Sequence, residues 1–126
     1  MAHTNGPITY SAGSTFERYR LVNLVGGKLW PCDPGEEPLG VSASNALAVD
    51  DHVGVNLLNG NGTIEIMATG AVAEGELLIP AAAGQVAKDP GTGTRIIVGK
   101  ALTSVGSGGG VIEVLPYGYG HTLTAA

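Results

Sequence analysis

The sequence predicts an all-β domain, a barrel or sandwich made of two related halves, and three observations lead there. Apolar runs are short, and turn signals rich in Gly, Pro, Asn and Asp separate them every ~8–12 residues. In Ile64-Glu65-Ile66 and Ile112-Glu113-Val114 apolar residues alternate with an acid, so one face is buried and the other wet. Residues 16–58 also return, in degenerate form, at 73–116. Glu17 aligns with Glu74, Leu21-Val22 with Leu78-Ile79 and Gly27 with Gly84, each 57 residues apart (74 − 17). Asp33-Pro34-Gly35 matches Asp89-Pro90-Gly91 at 56 (89 − 33), and Leu39-Gly40 matches Val98-Gly99 at 59 (98 − 39). Val53…Leu57 matches Val111…Leu115 at 58 (111 − 53). The drift falls where Gly/Pro-rich loops absorb it, as expected of one supersecondary unit repeated in tandem.

Residues 1–14 carry no hydrophobic period and contain Asn5-Gly6-Pro7, which predicts an extended N-terminal arm. Within it only Ile8-Thr9-Tyr10 is strand-like; the arm is either a frayed terminus or a strand that adds to a partner's sheet edge. From Phe16 the chain is β-like, with Tyr19, Leu21 and Asn23 on one face and Arg18, Arg20 and Val22 on the other. Gly26-Gly27 turns it into Lys28-Leu29-Trp30, and Pro31, Pro34 and Pro38 then impose a loop or an edge, because Pro has no N–H to give a ladder. Gly40-Val41-Ser42 resumes as strand, Ser44–Asp51 is a short helix or a broad loop, and Val53–Leu58 is a strand. Asn59-Gly60-Asn61-Gly62 is the strongest turn signal of the chain and predicts a hairpin joining Val53–Leu58 to Thr63–Met67. Strands are expected at 76–79, 84–87, 95–101 and 111–115, followed by a loose tail over 117–126.

A chain of 126 residues suffices for one domain that buries roughly two-thirds of its unfolded surface without staples. The single cysteine, Cys32, excludes an internal disulfide and favours a reducing compartment. No basic segment followed by an apolar core opens the chain, and no apolar run nears the ~18 residues of a membrane span, so a soluble, unprocessed protein is expected. Six Lys+Arg against eleven Asp+Glu give −5, which disfavours nucleic acid and anionic membranes as partners. Arg18, Arg20 and Lys28 nonetheless make the first thirty residues net basic, on an ordinary solvated strand or facing an acidic partner. Few charges and 21 glycines leave strand edges and apolar surface that would self-associate, so much of the surface is expected to be covered in use.

Signals for chemistry are sparse. Gly93…Gly99-Lys100-Ala101 fails as a phosphate loop: the spacing is wrong, Ala101 stands where a hydroxyl is needed and Ile96-Ile97-Val98 is strand. His3, His52 and His121 are isolated, and the adjacent residues Asp50-Asp51-His52 cannot all converge on one ion from a strand. Glu36-Glu37 stays hydrated in a Pro-rich loop, and Cys32 beside Asp33 has its thiol pKa raised rather than lowered. Asn61-Gly62-Thr63 matches a glycosylation sequon formally but is better read as turn. Trp30, the lone tryptophan, is by default core and otherwise an interface anchor. No catalytic, cofactor or metal residue is therefore expected, and the chain is read as a structural or binding protein rather than an enzyme.

The order Gly70…Ala73-Glu74-Gly75-Glu76-Leu77-Leu78, Gly84-Gln85-Val86, Val98-Gly99-Lys100-Ala101-Leu102 and Val111-Ile112-Glu113-Val114-Leu115 resembles the small capsid decoration, or cement, proteins of tailed bacteriophages. The resemblance covers about Val53 to Pro116 and reaches the first half only through the repeat. It implies a β-barrel-like or β-tulip domain that sits as a homotrimer on the outside of an expanded shell and stabilises it. The protein would be made in the host bacterial cytoplasm, and its partners would be the major capsid protein and itself. The N-terminal arm of such proteins docks on the shell; its place here makes Thr4, Pro7, Ile8, Thr9 and Tyr10, with Arg18 and Arg20, the expected shell contacts, and Trp30 the expected oligomer contact. The alternative is a glycan- or receptor-binding β-domain of a phage fibre, using Trp30, Tyr117, Tyr119 and His121 as a stacking face.

Overall fold

The computed structural model describes residues 8–58, 62–117 and 122–125. The first half holds β1 (Ile8–Ala12), β2 (Leu21–Val25), β3 (Lys28–Pro31), β4 (Gly40–Ser42) and β5 (His52–Leu57). The second holds β6 (Ile64–Ala68), β7 (Leu77–Pro80), β8 (Val86–Lys88), β9 (Gly93–Ile96), β10 (Gly99–Ala101), β11 (Gly110–Pro116) and β12 (Thr122–Ala125). The fold is all-β. Two five-stranded sheets close into barrels, in the orders β1-β3-β2-β4-β5 and β10-β11-β6-β8-β7, and β9 pairs with β12 in a separate ribbon. A 3-10 turn at Ala82–Gly84 is the one helical piece among the described residues.

The barrels are copies of each other. β1 runs parallel to β3 and antiparallel to β5, and β6 runs parallel to β8 and antiparallel to β11. Bonds outside the ladders recur as well. Cys32 N–H donates to Leu21 O and Asp89 N–H to Leu77 O, both at 2.9 Å; Leu39 N–H donates to Val22 O and Val98 N–H to Leu78 O, both at 2.8 Å. Isolated bridges join Phe16 to Ala46 and Val72 to Val105. Val22 therefore corresponds to Leu78, 56 residues on (78 − 22), not to Ile79, and Val53 corresponds to Ile112 rather than Val111. A one-residue slip exchanges the two faces of a strand, and aliphatic neighbours on both sides make that slip invisible in sequence. The match of Leu39-Gly40 with Val98-Gly99 is confirmed.

Alternation sorts each strand into an inner and an outer set. Val22, Leu29, Val53 and Val55 fill the first barrel with Ala12 and Phe16. Leu21, Val41, Cys32 and Leu58 point out of it into the core of the second, beside Ile66, Leu78, Val86 and Ile112. The outer face of one barrel is thus the lid of the other, and the backbone stitches the seam: Met67 N–H donates to Tyr19 O at 2.9 Å and Gly84 N–H to Cys32 O at 2.7 Å. At Gly84 (φ +77) an added Cβ would lie 2.6 Å from Leu21 O, so only glycine allows this approach.

Four expectations are corrected. The arm reading extends too far, because Ile8–Ala12 is β1 and closes the first barrel; residues 1–7 lie outside the described residues. Each repeat consequently begins with that strand, at Ile8 and Ile64. β5 and β6 do not form a hairpin, since both edges of β5 are taken by β1 and β4, and their connection passes between barrels. Residues 95–101 split into β9 and β10, with Ile97 and Val98 buried between them. Part of the expected loose tail, Thr122–Ala125, is β12, which pairs antiparallel with β9. Of the two readings of Ser44–Asp51 the broad loop holds, and Asp51 Oδ2 secures it by accepting from Leu47 N–H at 2.9 Å and Ala48 N–H at 3.0 Å.

Candidate functional site

A cleft lies beside the seam. A two-residue turn, Gly26-Gly27 with φ of +61 and +79, closes the β2–β3 hairpin in the positive-φ form that suits strand twist. Its register sets Asn23 opposite Trp30. Val22 and Leu29 face inward, so Asn23 and Trp30 face out. Trp30 is 40% exposed, and its indole lies over Gly13, where a Cβ would come within 2.3 Å of the ring. The loop 32–39 and the 3-10 turn complete a cleft of about 670 Å³, lined by Asn23, Val25, Trp30, Asp33, Glu36 and Ala83.

The cleft is acidic and rich in acceptors. Asp33 Oδ1 accepts from Ala83 N–H at 3.4 Å, and Glu36 Oε1 accepts from Asp33 N–H at 2.8 Å. Asn23 Oδ1 is covered from solvent and has no donor among the described residues. Behind the loop, Cys32 is buried, and its thiol is pushed up to about 12, first by burial and then by Glu36 and Asp33. The equivalent loop of the second barrel is neutralised internally. Arg95 holds Asp89 through both oxygens, Nε to Oδ1 at 2.6 Å and a terminal nitrogen to Oδ2 at 2.8 Å. That hydrogen-bonded guanidinium keeps the Asp89 carboxyl below the usual range.

The expected contact residues scatter. Thr4, Pro7, Tyr119, His3 and His121 lie outside the described residues, as does the Asn59–Asn61 part of the turn. Ile8, Thr9 and Tyr10 belong to β1, where Thr9 is exposed and Tyr10 packs on the first core. Arg18 is exposed, with its guanidinium carbon 4.5 Å from the Tyr19 ring centroid. Arg20 is a poor contact, since its side chain is 14% exposed and pairs with Glu17 at 2.6 Å. Trp30 is neither core nor isolated; it forms one wall of the cleft.

Asp50 and Asp51 do not act with His52: Asp50 pairs with Lys28 at 2.6 Å, and Asp51 binds its own loop. Among the described residues no three of His, Cys, Asp and Glu gather to hold a metal ion. Glu65 and Glu113 stand opposite on β6 and β11, and Thr63 Oγ1 donates to Glu113 at 2.6 Å. Sequence reasoning missed Asn23 as a site residue. The contrast that marks it, Ile79 and Ala87 in the second barrel where the first carries Asn23 and Trp30, emerges only once the strand register is known.

No protein-family model and no curated protein matches the chain. Among solved structures the head fibre gp8.5 N base of bacteriophage phi29 is similar, with a TM-score of 0.66 at 18% identity over 86% of this chain and 92% of that one. The two-barrel fold is shared along nearly the whole of both chains.

Proposed function

We propose that the chain is a non-enzymatic structural protein of a tailed-phage head. It decorates the outer surface of the expanded shell as a trimer, contacts the major capsid protein and stabilises the shell. The observation that carries this reading is the likeness, over nearly its full length, to the base of a phage head fibre. The exposed apolar residues Leu47 (81%), Val25 (58%) and Val49 (55%) support a surface that is covered in use. A ligand that binds only the expanded lattice shifts the shell's equilibrium toward it by its binding free energy, and repetition over many sites multiplies the gain.

Co-sedimentation with expanded and unexpanded shells tests the proposal. Saturable binding to expanded shells alone is expected, and absence from both would end the decoration reading. The second reading, a glycan- or receptor-binding fibre domain, draws on the same likeness because the similar protein is itself part of a fibre. The half-exposed Trp30 and Tyr117 would serve it. Glycan-array binding by the isolated protein would favour that alternative.

A further inference from the structure

The two barrels solve the same loop in different ways. In the second, Asp89 receives a bidentate guanidinium from Arg95, and the pair is almost closed to solvent, at 7% and 13% exposed. In the first, the equivalent loop carries Asp33, Glu36 and Glu37, and no Lys or Arg occurs between Lys28 and Lys88. Lys28 is committed to Asp50 and Lys88 to Glu76. Each of Asp33 and Glu36 is given one backbone donor, leaving its second oxygen without one among the described residues. Asn23 Oδ1, beside Trp30 on the adjacent strand, also lacks a donor among the described residues. The first barrel thus assembles an aromatic face, two carboxylates and an orphan acceptor where the second has Ile79, Ala87 and its own arginine.

Resting on the decoration reading above, we propose that the Trp30 cleft receives an arginine side chain of the shell protein. The guanidinium stacks on the Trp30 ring, which attracts cations through its negative face. Its planar fork donates to Asp33 and Glu36 in charge-assisted bonds. Lysine fits less well, since a point charge cannot both stack and fork. A neutral sugar would satisfy the acceptors but leave two carboxylates desolvated against an uncharged ligand.

Trp30 is the only tryptophan, so its emission reports on this cleft alone. The probe is a blocked Gly-Arg-Gly tripeptide titrated at low ionic strength, with its citrulline analogue as the uncharged isostere. The expected result is a saturable change with arginine and at least tenfold weaker binding with citrulline. A D33N/E36Q variant that keeps the wild-type denaturation midpoint should also bind the arginine peptide at least tenfold more weakly. Equal binding of the two peptides, or equal binding by the variant, overturns the inference. The same variant should lose at least tenfold in affinity for expanded shells; undiminished shell binding overturns the inference and leaves the decoration role standing. Arginine-peptide binding by a wild-type protein that ignores all shells supports the cleft and overturns the decoration role.

Discussion

Gly40 and Gly99 occupy the same place in the two barrels, each pressed against a strand backbone that leaves no room for a methyl group. A Cβ on Gly40 would lie 2.4 Å from Asn56 O and 2.7 Å from Val55 Cγ1; one on Gly99 would lie 2.2 Å from Leu115 O and 2.9 Å from Val114 Cγ1. Asn56 and Leu115 are themselves equivalent, as the strand partners of Val41 and Lys100. The obstacle is a ladder carbonyl, which moves only if the strand does. Gly40→Ala and Gly99→Ala should each destabilise the protein by about 1–3 kcal/mol, the usual cost of overpacking. Urea midpoints measure both, and tolerance of either substitution would mean that the strands are not so closely apposed.

A different constraint acts at Gly75, where the chain has φ +90 but a Cβ would meet nothing nearer than Lys100 Cε at 4.0 Å. Its counterpart in the first barrel is Tyr19, at φ +64: Tyr19 N–H donates to Ser42 O, and Gly75 N–H to Ala101 O. Gly75→Ala should therefore cost about 1 kcal/mol through backbone conformation alone. Gly106→Ala, which meets nothing within 4 Å and has no positive φ, serves as the control and should change stability by less than about 0.5 kcal/mol. Equal effects of the two would show that entropy of the unfolded chain, not native strain, decides both.

The fold class and its duplication were legible in sequence, because burial leaves a period of two in strands and because Gly40 and Gly99 cannot be replaced without moving a backbone. Registers were not. Leu78 and Ile79 are interchangeable by hydropathy, and it takes the burial of Leu78 and the bond from Val98 N–H to Leu78 O to separate them. β1 was half legible: Ile8-Thr9-Tyr10 is strand-like in sequence, but Ser11 and Ala12 are small, and closure onto β5 of the same chain, not onto a partner's sheet edge, makes the strand. The cleft was hidden for a related reason: Asn23 and Asp33 are ten residues apart in sequence (33 − 23) and meet Ala83 only across the seam.

Cys32 should behave as a protonated, inert thiol in the native state. With its pKa pushed up to about 12 against about 8.5 in the unfolded chain, the reactive thiolate at pH 8 is rarer by about a thousandfold, and labelling by a disulfide reagent should slow at least as much. The same shift is a stability statement. The native thiol keeps its proton while the unfolded one loses it, so this contribution is complete below about pH 8.5 and declines as the pH rises toward about 12. Cys32→Ala, whatever its constant cost in packing, should remove that alkaline slope from a series of urea midpoints. Native labelling as fast as unfolded labelling would refute the burial.

Acid should act through the second barrel. Asp89 titrates below the ordinary carboxylate range because it is hydrogen-bonded to Arg95, and Glu76 does so because it is hydrogen-bonded to Lys88. For a depressed carboxyl the unfolded state takes up protons first, so its stabilisation is present above about pH 4 and is lost as the pH falls through the folded value. The two pairs differ in exposure: Asp89 and Arg95 are 7% and 13% exposed, whereas Lys88 is 62% and Glu76 24%. Salt screens the open pair far more than the closed one. Urea midpoints between pH 5 and pH 2 should therefore lose a salt-insensitive slope in Asp89→Asn and a salt-sensitive slope in Glu76→Gln. Indistinguishable slopes in the two variants at high salt would mean that the Asp89–Arg95 bond is open to water in solution.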